Sequence, residues 1–147
     1  MSGFRNPSDT EIAALLNGAK TIALVGASAN PARDSHGVMA FLQRKGHRVI
    51  PVNPGLEGKT LLGERVYARL GDIPDKVDMV DVFRASEYVA EVVNDSIAAG
   101  VPAVWTQLGV VDEAAAAKAQ AAGLTVVMNR CPKIEYPRLG ISEPGAA

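Results

Sequence analysis

The sequence holds a single cysteine, Cys131, and two histidines, His36 and His47. One thiol excludes an internal disulfide framework and any multi-cysteine metal site, and two imidazoles leave little for a zinc centre. No metal site is therefore expected. Charge of one sign is also missing. Lys plus Arg number 15 and Asp plus Glu 16, a net charge of −1, so no global field points to nucleic acid or a membrane surface. No apolar run approaches the roughly 18–20 residues of a membrane helix. The opening MSGFRNPSDTE has no apolar stretch of the kind a secretory leader needs. The P-loop pattern G-x-x-x-x-G-K-[ST] is absent, which argues against ATP-driven ligation by this chain alone.

What remains is a chain of 147 residues, 48% apolar and 21% charged, an ordinary globular balance. A single cytoplasmic domain over residues 1–147 is expected, with 1–7 and 140–147 flexible. Two periodicities alternate along it. Lys20–Val25, Arg48–Val52, Val77–Val82, Val101–Thr106 and Leu124–Met128 are short runs, β-branched and nearly apolar throughout, which fits strands buried on both faces. Helical patterns lie between them. Ser8 and Glu11 form a capping box closed by Gly18, and Ser35 opens a helix through Lys45 that Gly46 stops. Ser86 opens another that ends at Gly100, and Asp112 starts the alanine-rich stretch ending at Gly123. Pro54–Pro74, with four glycines, reads as a long loop with one or two turns and a short helix near Val66–Leu70. Strands separated by crossovers predict an α/β, Rossmann-like three-layer fold: a five-stranded parallel sheet in the order 3-2-1-4-5.

Ligands of such sheets bind at the carboxyl edge, so the loops leaving the strands matter most. The first strand runs into Gly26-Ala27-Ser28-Ala29-Asn30-Pro31-Ala32-Arg33 and then a helix. That order suits a tight turn facing free helical N–H groups. The dinucleotide fingerprint G-x-G-x-x-G is nevertheless broken at Ser28 and Pro31. The second strand ends in Val52-Asn53-Pro54, with no acid for a ribose. Arg33, Arg84 and Arg130 follow three different strands on this edge, beside Trp105 and Gln107. Two readings stand on these residues: plain βα turns with solvated arginines, or a site for a polyanion with a flat or apolar portion.

His36 opens the second helix and reads as structural or anion-facing; His47 precedes a strand and reads as exposed. Asp78 and Asp81 form no obvious acid–base pair, and Asp81 could satisfy helix N–H groups or a neighbouring loop. Glu135 and Tyr136 could fold back over the edge or serve a salt bridge. Cys131 is either a buried, inert thiol or a thiol on the ligand edge whose thiolate Arg130 would favour. In the second case it could form a mixed disulfide with a bound thiol.

The combination VGAS-x-NPAR-x-S-H, VIPVNP, VDMVDVFR, W-x-QLGV and NRC-x-x-x-E resembles the small stand-alone CoA-binding proteins. These are similar to the CoA-binding domain of the succinyl-CoA synthetase α subunit, and the resemblance spans roughly residues 8–139. It implies a domain whose carboxyl edge holds coenzyme A. By the same resemblance Gly26, Ala27 and Ser28, with Asn30 and Arg33, hold phosphates. Val52, Asn53 and Pro54 flank the adenosine, Phe83 and Arg84 lie beside the cofactor, and Trp105, Thr106 and Gln107 line the pantetheine path, with Cys131 on the same edge. The synthetase's lysine after the second strand has no matched counterpart here: the nearest position carries Leu56, with Lys59 a few residues on. The resemblance implies a CoA-binding protein acting as carrier, sensor or accessory, with no catalytic residue of its own. The alternatives are an acyl-CoA ligase or transferase subunit that needs a partner chain, and a dinucleotide-binding redox regulator. The ligand is CoA or acyl-CoA, with no nucleic acid and no membrane; a protein partner or a homo-oligomer is compatible with the sequence.

Overall fold

The short β-branched runs become the sheet. In the computed structural model, which describes residues 4–141, the chain runs α1 (Asp9–Gly18), β1 (Thr21–Val25), α2 (Asp34–Arg44), β2 (Arg48–Val52), β3 (Thr60–Leu61), β4 (Glu64–Arg65) and β5 (Met79–Val82). It continues through α3 (Val89–Ala98), β6 (Ala103–Thr106), α4 (Glu113–Ala121), β7 (Thr125–Val127) and α5 (Pro132–Leu139). Five strands pair in parallel in the order β2-β1-β5-β6-β7. The architecture is the expected Rossmann-like α/β fold.

Counted over the strands of that sheet the order is 2-1-3-4-5, and this corrects the expected 3-2-1-4-5 in the place of the third strand. The reason lies in Pro54–Pro74. After β2 the chain returns along the outer edge of that strand, where the Asn53 N–H donates to the Tyr67 carbonyl and the Tyr67 N–H to the Pro51 carbonyl. These bonds occupy the edge that a third strand would need. The chain then crosses back and lays β5 against the free side of β1. The same stretch contains the antiparallel hairpin β3–β4, turning through Leu62 and Gly63, both at positive φ, as a tight two-residue hairpin turn requires.

Side chains on the central strands alternate between the two faces. Ile22, Leu24, Met79 and Trp105 join Ile12, Leu16, Met39, Leu42 and Tyr136 beneath α1, α2 and α5. Ala23, Val25, Val80, Val82 and Val104 face the other way with Val92, and α4 packs there through Ala115, Ala116 and Ala119 beside Val89 and Val93 of α3. Each fully buried Leu or Ile here stabilises the fold by about 1.5–3 kcal/mol relative to an exposed one.

The capping box at Ser8 and Glu11 forms as expected, and Asp112 caps α4 through the Ala115 N–H. Ser35 lies inside the first turn of α2, whose N-cap is Arg33. Ser86 begins a 3-10 turn ahead of α3 and fastens a neighbouring loop. Helix α5 is new relative to the sequence reading. Pro132 occupies its first turn and Gly140 closes it in a left-handed conformation. Arg138 ties it to α1, pairing with Asp9 at 2.9 Å and with the buried Glu135 at 2.8 Å.

His47 is a correction. It is buried, with Nδ1 against the Ala19 carbonyl and Nε2 against the Tyr136 hydroxyl, because α5 folds over the start of β2. Residues 1–3 and 142–147 of the expected flexible ends lie outside the described residues. Of the rest, Asn6 bonds both the carbonyl and the N–H of Met128. Among the described residues no helix is long and apolar enough to cross a membrane, and no cluster of His, Cys, Asp and Glu could hold a metal ion.

Candidate functional site

Val25, Val52 and Val82 stand level in the sheet, so Gly26, Asn53 and Phe83 leave it side by side. This is the point where the strand order reverses, which in open α/β sheets is where ligands enter. Gly26 is required there. Its φ is +95, and a Cβ would stand 2.8 Å from the Phe83 carbonyl oxygen.

The Gly26 and Ala27 N–H groups both donate to the Val52 carbonyl, at 3.0 and 3.3 Å, so they hold the loop together. Asn53 reinforces it: its amide nitrogen donates to the Ala27 carbonyl and its oxygen accepts from the Gly55 N–H, both at 2.8 Å. Beyond them Ser28 Oγ accepts from the Asn30 N–H, and Asn30 Oδ1 from the Ala32 N–H. These turns deliver the chain to Arg33, which is exposed and supplies no side-chain cap to α2. The start of that helix therefore borders the cleft through Arg33, Asp34 and Ser35, which sets the positive end of the helix dipole and a guanidinium together, an arrangement that suits an anion. Asp34 stands on the same rim and complements the helix dipole.

Three clefts meet around this point. The first, about 820 Å³, is walled by Gly26 to Asn30, Arg33, Asn53 and Phe83. The second, about 680 Å³, shares Arg33 and Phe83 with it and extends past Arg84 and Gln107 to Cys131. The third, about 570 Å³, joins at Gly26 and Asn53 and is walled by Val52, Pro54 and Arg84. Gly26, Ala27, Ser28, Asn30, Arg33, Val52, Asn53, Pro54, Phe83, Arg84, Gln107 and Cys131 thus border one groove.

Two of the three expected arginines border it. Arg84 packs its guanidinium over the Tyr88 ring at 3.9 Å and lies 3.7 Å from the Glu91 carboxylate. Arg130 instead donates to the Asn129 carbonyl at 2.9 Å and borders none of the three clefts.

Trp105 and Thr106 do not wall the groove, a correction to the path expected of them. Trp105 is 0% exposed, and its indole N–H donates to the Arg130 carbonyl at 2.9 Å. Thr106 is buried, with its hydroxyl donating to the Val110 carbonyl and accepting from the Asn129 N–H. Both fasten the loops that follow β6 and β7. Gln107 reaches the second cleft, but its carboxamide turns inward onto the Asp81 carboxyl, 2.9 and 3.2 Å from its two oxygens. Asp81 lies wholly buried in β5, and burial pushes its carboxyl well above the ordinary range. Cys131 is half-buried at the start of α5.

The groove also contains residues that the sequence reading passed over. Leu108, Val110, Lys133 and Ile134 border the second cleft; Leu56, which the resemblance set at the synthetase's lysine, borders the first. A signal for two of them was present. Proline after Cys131 and glycine at 140 are the start and stop of a helix, and that helix brings Lys133 and Ile134 to the edge.

The chain is similar to several known proteins. YneT of Bacillus subtilis (strain 168) is 37% identical over 133 residues, covering 90% of this chain and 97% of that protein. A solved structure from Pyrococcus horikoshii OT3 superposes with a TM-score of 0.85 at 40% identity, covering 95% of this chain and 99% of the other. A dinucleotide-forming acetyl-coenzyme A synthetase from Ca. Korarchaeum cryptofilum matches with a TM-score of 0.64 at 28% identity, over 76% of this chain and 26% of that one. The family model for the CoA binding domain matches residues 20–137, and this chain belongs to that family.

Proposed function

We propose that this chain is a cytoplasmic coenzyme A binding protein, a carrier, sensor or accessory without catalytic residues of its own, with the ligand lying along the groove between Asn53 and Cys131. The observation that carries the reading is the open start of α2 with Arg33 beside it, at the strand-order reversal of a chain that belongs to the CoA binding domain family. Coenzyme A carries phosphates, an adenosine and a long amide arm. The first cleft offers N–H groups and a guanidinium, the third a slot beside Val52 and Pro54, and the second a half-apolar channel. NAD fits less well, since Asn53 is engaged with Ala27 and Gly55 and no acid stands there for a ribose.

Binding only to the native state stabilises it by about 2.7 kcal/mol at a hundredfold excess over Kd. Thermal melts with CoA, NAD and ATP in parallel test the reading. A rise in midpoint with CoA supports it, and a rise with NAD alone overturns it.

A second reading draws on the match to about a quarter of the acetyl-coenzyme A synthetase chain: a CoA-holding subunit whose chemistry resides in a partner chain. Co-purification of a partner bearing a phosphorylatable histidine would favour it.

A further inference from the structure

Of the five large apolar side chains exposed among the described residues, two border the second cleft and two more adjoin residues that do. Leu108 is 55% exposed, Ile134 51%, Val111 42% and Tyr88 39%, while the fifth, Leu62, lies on the β3–β4 hairpin. Leu108 and Ile134 both wall the cleft directly, one following β6 and the other from α5. Val111 continues the same loop, and Tyr88 stacks under Arg84 at its border.

The loop carrying Leu108 is held in place. The Gly109 N–H donates to Asn129 Oδ1 at 2.8 Å, and Ser86 Oγ accepts from the Val111 N–H at 2.8 Å while donating to the Gly109 carbonyl at 3.3 Å. Exposed apolar side chains gathered at a cleft and fixed by hydrogen bonds are a pattern of ligand or partner sites. Here the continuity of the groove selects a ligand. The second cleft shares Arg33 and Phe83 with the first, so a CoA whose phosphates lie at Arg33 sends its thiol arm past Phe83 into these apolar walls.

We infer that the half-apolar cleft bordered by Leu108 and Ile134 receives an acyl chain, so that the ligand of this protein is an acyl thioester of coenzyme A rather than the free thiol. The inference rests on the CoA reading of the groove and deepens it. The arm of free CoA is rich in amides and offers little apolar surface to Leu108 and Ile134, whereas an acyl chain is apolar along its whole length.

Calorimetric titration with CoA and with acetyl-, butyryl-, hexanoyl- and octanoyl-CoA tests it. A fully buried methylene tightens binding about fourfold, and in an open cleft about twofold is expected, so hexanoyl-CoA should bind at least about tenfold tighter than acetyl-CoA. In a Leu108→Ser, Ile134→Ser double variant that ratio should fall below about threefold. Because the ratio is taken within each protein, a general change in CoA affinity cancels. Binding of CoA with no gain along the acyl series overturns this inference alone, and failure of every ligand overturns the CoA reading with it. A double variant that changes oligomeric state and keeps the acyl ratio makes the patch a contact between copies and also overturns it.

Discussion

The Phe83 carbonyl oxygen occupies the space where a side chain at Gly26 would begin. A Cβ there would meet that oxygen at 2.8 Å and its carbon at 2.9 Å. Both atoms belong to the backbone of the residue that follows β5, so neither can swing away as a side chain could. The close approach brings the three strand ends together and leaves the groove its floor.

Gly26→Ala should therefore destabilise the protein by at least about 2 kcal/mol, combining left-handed strain with a backbone clash. Gly18→Ala is the control. Nothing lies within 4 Å of its added Cβ, and a helix-end alanine at an ordinary φ should be neutral or stabilising by up to about 1 kcal/mol. Urea unfolding of the two variants measures the contrast.

Arg33→Ala should weaken CoA binding by about 10- to 150-fold, the loss of a charge-assisted contact of about 1.5–3 kcal/mol. Lys118→Ala should change it less than about twofold, since Lys118 donates to Asn94 at 2.8 Å between α4 and α3, on the other side of the sheet from α2. Equal affinities by calorimetry would place Arg33 outside the site.

Asp81 should make the protein less stable as pH rises. Burial raises its carboxyl above the ordinary 3.8, so between that value and its folded value the native state holds a proton that the unfolded chain has released. Stability then falls with rising pH across this window. Asp81→Asn removes that slope and can still pair with Gln107. Urea midpoints from pH 4 to 8 should show the variant gaining on wild type as pH increases.

His47 should act in the opposite direction. Burial lowers its imidazole below the ordinary 6.5, with the Ala19 carbonyl opposing in part. Below that value the unfolded chain binds a proton that the native state refuses, so stability is lost as pH falls. The same denaturation series on His47→Gln should show a shallower acid-side decline than wild type.

Local chemistry sufficed for much of this protein. The apolar runs marked all five strands of the sheet because parallel strands covered on both faces need apolar residues at every position. Ser8 with Glu11, and Asp112, marked helix starts through hydrogen bonds made within one turn. Glycine after β1 marked the turn that opens the groove, and the motif resemblance pointed to the family that the comparisons show. What lay beyond reach was set by partners distant in sequence. A strand apolar on both faces hides its own alternation, so nothing local could say that Trp105 points into the core, where Met79 and Tyr136 share its cluster. The place of the third strand was decided by Tyr67 bonding along the edge of β2. Asp81 and Gln107 likewise met only when β5 paired with β6. The second cleft needed α5 to bring Ile134 to the wall that Leu108 also lines, from elements that become neighbours only once the sheet has formed.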